Sequence, residues 1–222
     1  MTEKLDYKKK YKDLYLPKQK PALIDVPAMN FIMVDGAGDP NDPNGQYSEA
    51  MEILYGLSFT IKMSKMNGRE PAGYFEYVVP PLEGLWWFEN DEFDGTQLQD
   101  KSKFNWISMI RQPEFVTADV FAWARAELQK KKPRLDLGKA HLESLAEGLC
   151  VQIMHLGPYA NEAASIAPME QFVLENGYVN AISDRLPSGQ IRRHHEIYLC
   201  DPRKTEPDKL KTVIRHPVKK SK

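Results

Sequence analysis

The residues best able to do chemistry lie in one short run near the C-terminus, RHHEIYLCD at residues 193–201. In a β-strand, successive side chains point to opposite faces. One face would then hold His194, Glu196, Tyr198 and Cys200, and the other His195, Ile197 and Leu199. A glutamate facing an aromatic, partly desolvated space is a candidate base, or a counter-charge for a cation. For this segment alone, a solvated glutamate is the simpler interpretation.

Aromatic residues concentrate on a few short segments, which predicts a ring-lined surface. They include Tyr77, Trp86, Trp87, Phe104, Trp106, Tyr159 and Tyr198. Because Trp86 and Trp87 are adjacent in a strand-like run, their indoles must point to opposite faces. At least one indole would therefore meet solvent, a ligand or a covering helix. A ligand platform and a covering helix over 117–130 explain the pattern equally well.

The sequence shows no motif for a metal, a nucleophile or a phosphate. His194 and His195 diverge on a strand, and no Cys or His pair has the spacing of a zinc site. Cys150 and His155 lie five positions apart, which places them on opposite faces of a strand. The segment 36–41 (GAGDPN) lacks both the third glycine of a dinucleotide fingerprint and the lysine of a phosphate loop. We expect neither a metal nor a cofactor.

Length and composition favour a single compact domain over residues 1–222. The formal net charge of -1 gives no long-range field for nucleic acid or an anionic membrane, so neither is expected as a partner. Cys150 and Cys200 are isolated, which suits a reducing compartment, although a disulfide between them stays open. With no signal peptide and no apolar run of membrane-spanning length, we expect a cytoplasmic protein.

Hydrophobic periodicity predicts the same order of elements twice, which indicates an α+β fold. The first set is a strand over 27–36, a helix over 47–66, and strands over 73–80 and 84–88. The second set is a strand over 148–157, a helix over 165–176, and strands over 193–200 and 210–216. We therefore predict two strand-helix-strand-strand modules, about 27–90 and 145–218, related by a pseudo-twofold axis. A ligand cleft is expected between them.

A segment of about 99–133 separates the two modules and reads as an insertion. Residues 103–112 are compatible with a strand or with a short helix, and the sequence does not decide between them. From Thr117, a favourable N-cap residue, a helix is predicted that ends at the lysines before Pro133.

Five motifs together resemble the GyrI-like small-molecule-binding family over residues of about 14–218. They are EGLWW at 83–87, MIRQP at 109–113, EGLCVQ at 147–152, HLGPY at 155–159, and the run 194–201. The chain is most similar to a stand-alone branch that resembles cyclopropanoid cyclopropyl hydrolases. The resemblance implies a duplicated fold with an aromatic cleft for flat, hydrophobic and often cationic compounds.

In the hydrolase branch, the resemblance implies detoxification of DNA-alkylating compounds that carry a cyclopropane fused to a dienone. The family's acidic residue falls on Glu196, which would accept a proton from water, while Tyr159 or Tyr198 would hydrogen-bond the dienone oxygen. The expected ligand contacts are Trp86, Trp87, Trp106, Tyr77, His155 and Phe104. Two other functions stay open: a non-catalytic binder or sensor of hydrophobic cations, and a protein that binds a macromolecular partner such as gyrase.

Overall fold

A computed structural model describes residues 4–88 and 100–221, which form five helices and nine strands in these two ranges. The helices are α1 (Tyr7–Lys10), α2 (Lys12–Tyr15), α3 (Gln46–Lys62), α4 (Ala118–Lys131) and α5 (Ala163–Glu175). The strands are β1 (Ala22–Val26), β2 (Met29–Ala37), β3 (Leu82–Phe88), β4 (Phe104–Arg111), β5 (Ala140–Leu145), β6 (Gly148–Leu156), β7 (Tyr178–Asn180), β8 (His194–Tyr198) and β9 (Lys211–Lys220). This mixture confirms the predicted α+β class.

The strands form one antiparallel sheet in the order β1-β6-β9-β8-β3-β4-β2-β5, and β7 pairs with β9. Its centre is the pair β3–β8, which joins a strand from each half of the chain. Gly84 lies opposite Glu196 in this pair, and Trp86 lies opposite His194. The two runs that looked chemically interesting in the sequence are therefore direct neighbours.

Helices α3 and α5 cover the same face of the sheet and flank β3 and β8. From α3, the Tyr47 ring contacts Trp86, which shares the Glu196 face through its pairing with His194. From α5, Ile166 packs in one apolar cluster with Ile214, which lies opposite Glu196 in the sheet. Since directly paired residues share a face, Glu196 lies on the sheet surface between the two helices.

The strand predicted over 73–80 is wrong. Of that run only Tyr77 makes an isolated bridge, to Leu5, and the rings of Tyr74, Phe75 and Tyr77 pack around Phe115 instead. The run is rich in strand-forming residues, but it ends at Pro80, which Pro81 follows, and neither proline has an N–H group for a ladder. The third strand of this half is β4, which occupies the segment 103–112 whose conformation the sequence left open.

Other predicted elements are present with shifted ends. The Thr117 side chain caps α4 by accepting a hydrogen bond of 3.3 Å from the Val120 N–H, as its position indicated. Strands β1 and β5 had no prediction, and they extend the two edges of the sheet. Cys150 and Cys200 are both free thiols. The module boundaries and the pseudo-twofold relation between the halves stay predictions.

No helix within the described ranges is long and apolar enough to cross a membrane.

Candidate functional site

Glu196 is central to the candidate site, in the middle of β8 on the face between α3 and α5. Only 9% of its surface is exposed. Its Oε1 lies 3.0 Å from Nε2 of His194, and Nδ1 of His194 lies 2.7 Å from Nε2 of His216. Burial, followed by the neighbouring His194, lowers the pKa of His216 well below its usual range, so His216 is neutral. These histidines hold one oxygen of Glu196 in place.

Glu162 is a second carboxyl group beside Glu196, and the sequence did not point to it. It lies at the start of α5, is 7% exposed, and is within hydrogen-bonding reach of Glu196. Burial first, and then the charge and hydrogen bond of Glu196, raise its pKa well above the usual range. Glu162 and Glu196 are called the carboxyl pair below. Two adjacent buried carboxyl groups favour a state with one proton between them.

Tyr198 connects the carboxyl pair to the indole of Trp86. Its hydroxyl oxygen accepts a hydrogen bond of 2.9 Å from Nε1 of Trp86, and the hydroxyl is also hydrogen-bonded to Glu196. Burial and the charge of Glu196 raise the pKa of Tyr198 well above its usual range, so the phenol keeps its proton. Because this oxygen already accepts from Trp86, its own proton is the one directed to Glu196.

Tyr159 and Tyr47 add two more phenols. The Tyr159 ring meets the Tyr198 ring edge to face at 5.7 Å and is 36% exposed, so it reaches solvent. Burial, and then the charges of Glu196 and Glu162, raise the pKa of Tyr159 to about 12. The ring of Tyr47, which the sequence analysis did not select, lies 5.7 Å from Trp86 and 5.1 Å from Trp106. The surroundings of Glu196 are therefore phenolic and aromatic.

Glycine makes room for the two indoles. A Cβ at Gly84 would lie 2.6 Å from Nε1 of Trp86 and 3.3 Å from the Tyr198 hydroxyl oxygen. A Cβ at Gly36 would lie 2.2 Å from the Trp106 ring. Both indoles thus lie close against a glycine, and Gly84 is directly opposite Glu196.

The structure brings some of the sequence-predicted site residues together. Tyr159, Tyr198 and Trp86 surround Glu196 as described above. Phe104 contacts Trp86 edge to face at 5.4 Å and stacks on Phe88 at 4.7 Å. Trp106 is fully buried beneath Tyr47, so it supports the aromatic cluster from below.

Three of the predicted site residues lie apart from this group. Trp87 is on the opposite sheet face, where the Arg193 guanidinium covers its ring at 4.5 Å. Tyr77 is buried among the rings around Phe115. His155 contacts Oγ of Ser165 at 2.9 Å and the carbonyl oxygen of Pro158 at 3.1 Å. Its position indicates that it supports the turn preceding α5.

Glu162, His194 and Glu196 are also of the types that bind divalent cations. One nitrogen or oxygen atom from each lies within 4.8 Å of the other two. No metal was expected from the sequence because His194 and His195 diverge on a strand, but in the structure Glu162, from the start of α5, joins His194 and Glu196. Hydrogen bonds among these side chains account for the same arrangement.

A second buried polar group, called the back-face cluster, lies behind β8 and consists of Glu83, Glu147, His195 and Arg215. His195 is 3.0 Å from both Glu83 Oε2 and Glu147 Oε1, and Arg215 donates to Glu147 Oε2 at 2.9 Å. Burial would lower the pKa of His195, but Glu147 and then Glu83 raise it to about 9. Burial would raise the pKa of Glu147, but His195 and Arg215 lower it to about 2. The cluster is therefore a balanced set of charges that stabilises the sheet.

An open cavity of about 730 Å³ lies elsewhere, and the carboxyl pair does not line it. Leu16, Leu156 and Leu199 contribute apolar surface to it. Its lysines are Lys8, Lys9, Lys209 and Lys211.

Comparison with known proteins agrees with this fold. The family model of the GyrI-like small molecule binding domain matches residues 19–219. An uncharacterized conserved protein from Listeria innocua is 48% identical with a TM-score of 0.86, covering 97% of this chain and 100% of its own. A hydrolase from the same organism is 45% identical with a TM-score of 0.82 and the same coverages. Another Listeria innocua hydrolase is 46% identical with a TM-score of 0.84, covering 98% of this chain and 100% of its own. No protein of curated function matches the chain.

The chain belongs to the GyrI-like family and is a small-molecule-binding domain. Two of its close structural neighbours are described as hydrolases.

Proposed function

We propose that this protein hydrolyses the cyclopropane ring of flat, hydrophobic, DNA-alkylating compounds, which would detoxify them. The observation that carries the proposal is the position of Glu196, a buried carboxylate with phenols and an indole around it, between two helices. The hydrolase descriptions of two structural neighbours support the same reaction class. Flat ligands are favoured because the rings of Trp86, Tyr159 and Tyr198 lie around Glu196 and offer aromatic surface for stacking.

The reaction needs one base and one donor. Water forms a bond to the strained ring carbon as Glu196 takes its proton, and the breaking carbon–carbon bond sends its electron pair into the dienone. The dienone becomes an aromatic phenolate, and its oxygen finally receives the proton that Glu196 removed. Tyr159 is the better donor to the developing oxyanion, since the Tyr198 proton is already directed to Glu196. No redox change occurs in this addition of water.

A non-catalytic function is supported by one specific observation. Glu196 is already hydrogen-bonded to His194, Tyr198 and Glu162, an arrangement that suits a carboxylate that only holds negative charge. In that case the protein binds or senses hydrophobic cations in an aromatic cleft between the helices.

The test is incubation of the protein with a synthetic cyclopropane-fused dienone in heavy-oxygen water. We expect a product heavier by one water that carries the heavy oxygen in a new alcohol, together with the absorbance change from dienone to phenol. Glu196→Gln should abolish this product. The same change at the exposed position Glu175→Gln, on α5, is the matched control and should leave the rate unchanged. Ligand binding without any water addition by the wild type would favour the binder.

A further inference from the structure

The hydrogen bonds around Glu196 indicate which member of the carboxyl pair carries the proton. An ionised carboxylate only accepts hydrogen bonds. Tyr198 directs its hydroxyl proton to Glu196 because its oxygen accepts from Trp86, and His194 Nε2 lies 3.0 Å from Oε1. Both neighbours suit an ionised Glu196. The remaining neighbour, Glu162, makes a hydrogen bond to this carboxylate only if it donates a proton.

The surroundings of Glu162 favour its neutral form independently. The residue is 7% exposed, and its Oε1 is buried without a hydrogen-bond partner within the described residues. An ionised Glu162 would place a second negative charge beside Glu196 and leave a charged oxygen unsatisfied.

Charged and titratable groups from several elements lie near Glu162. Lys101, from the short turn before β4, lowers the proton affinity of Glu162, but its effect is smaller than those of burial and Glu196. Tyr159, from the turn before α5, keeps its proton at neutral pH and adds no charge. From β8, His194 lies within 4.8 Å of Glu162 and contacts Glu196 Oε1 at 3.0 Å.

We propose that Glu162 is a positioning residue that works as a neutral carboxylic acid and donates a hydrogen bond to Glu196. This inference rests on the proposed function for its kinetic test. The donated bond fixes the Glu196 carboxylate and keeps Glu196 the single negative charge facing the ligand. In the hydration reaction, the water proton passes through Glu196 to the product oxygen, and Glu162 keeps its own proton throughout.

A residue with this role should be replaceable by an amide. Glu162→Gln retains a donor of similar shape, so we expect kcat/KM within about threefold of the wild type. Glu162→Leu removes the donor and should lower kcat by about tenfold to a hundredfold. The wild-type rate should fall at alkaline pH as Glu162 ionises, and Glu162→Gln should lack that fall because an amide does not titrate. A merely structural role would not remove one limb of the pH profile.

An infrared measurement separates failure of this inference from failure of the proposed function. Near neutral pH, the carbonyl stretch of a protonated carboxyl group should be present in the wild type and absent from Glu162→Gln, whether or not the protein turns over a substrate. Absence of that band in the wild type would overturn the inference. So would a Glu162→Gln variant as slow as Glu162→Leu, or Glu162→Leu as fast as the wild type. A stoichiometric divalent ion that elemental analysis finds in the purified wild type but not in Glu162→Gln would also overturn the inference.

Discussion

Tyr198 and Tyr159 both lie near Glu196, but their contacts give them different roles. Tyr198 joins the Trp86 indole to the carboxylate, so both its donor and its acceptor capacity are used. Tyr159 is more exposed, and its ring contacts the ring of Tyr198 edge to face. The first residue therefore organises the site, whereas the second is free to meet a ligand oxygen.

Substitution by phenylalanine should separate the two roles. Tyr159→Phe should lower turnover about a hundredfold, the loss expected for one oxyanion donor, with stability within about 0.5 kcal/mol of the wild type. Tyr198→Phe leaves the buried Trp86 N–H without its acceptor and should cost about 1–3 kcal/mol in the free energy of unfolding. Steady-state kinetics and urea unfolding measure these effects. If Tyr159→Phe keeps full turnover, Tyr159 is not the donor.

At this scale, the period-two pattern of 193–201 predicted the face of each side chain, because alternation in a strand needs only local backbone geometry. The contacts of His194 and Tyr198 with Glu196, and of His195 with Glu83 and Glu147, confirm it. Glu162 was not predicted because it comes from the start of a helix in a distant part of the sequence. An acidic residue there ordinarily indicates only a favourable helix terminus.

At the scale of elements, the pairing of β3 with β8 creates the site. The register places Gly84 opposite Glu196, which lets the Trp86 indole lie across the strand toward Tyr198. Helices α3 and α5 then supply Tyr47 and Glu162 from the two sides. The motif at 83–87 and the run 193–201 thus act as one unit.

Gly84→Ala should disturb this unit without changing the fold. The added methyl group would meet Nε1 of Trp86 at 2.6 Å, so the indole must move and its bond to Tyr198 must lengthen. We expect a loss of about 1–3 kcal/mol in unfolding free energy and a shift in tryptophan fluorescence. Gly138→Ala is the control, because its methyl group meets only the flexible Asp136 carboxylate at 3.0 Å. The same change in unfolding free energy and in tryptophan fluorescence for both variants would contradict the close packing at Gly84.

Periodicity predicted helices α3, α4 and α5 and most central strands, since each has a distinct apolar pattern. It failed at 73–80, where strand-forming residues pack as an aromatic cluster and prolines prevent a ladder. It also missed the edge strands β1 and β5. Their pairing with β6 and β2 depends on contacts between distant segments, which a local pattern does not contain.

At the scale of the whole molecule, the sheet separates two polar groups of different character. The face between α3 and α5 carries the carboxyl pair, and the other face carries the back-face cluster. The cluster also binds the N-terminal segment: Arg215 donates to the Leu14 carbonyl oxygen at 2.8 Å, and the Tyr15 hydroxyl donates to Glu83 at 3.3 Å. Its charges are therefore expected to control stability rather than ligand binding.

Stability should depend on pH through His195. Its pKa is raised from 6.5 to about 9 in the folded protein, so its contribution is complete below about pH 6.5 and is lost as the pH rises through about 9. The loss in unfolding free energy should be roughly 3 kcal/mol. Urea unfolding at a series of pH values measures it. His195→Gln should be less stable and lack this alkaline loss, whereas the control His141→Gln, at a partly exposed position, should retain it. If His195→Gln loses the same unfolding free energy at alkaline pH as the wild type, a group other than His195 causes the loss.

In the proposed reaction, Glu196 moves the proton of the attacking water and does not only hold a charge. The most direct measurement compares, for one cyclopropane-fused dienone, the single-turnover rate and the dissociation constant of the wild type and Glu196→Gln. We expect the variant to bind within about threefold of the wild type but to open the ring about a hundredfold to ten-thousandfold more slowly. A variant that retains the wild-type rate, or whose lower rate is fully explained by weaker binding, would contradict it.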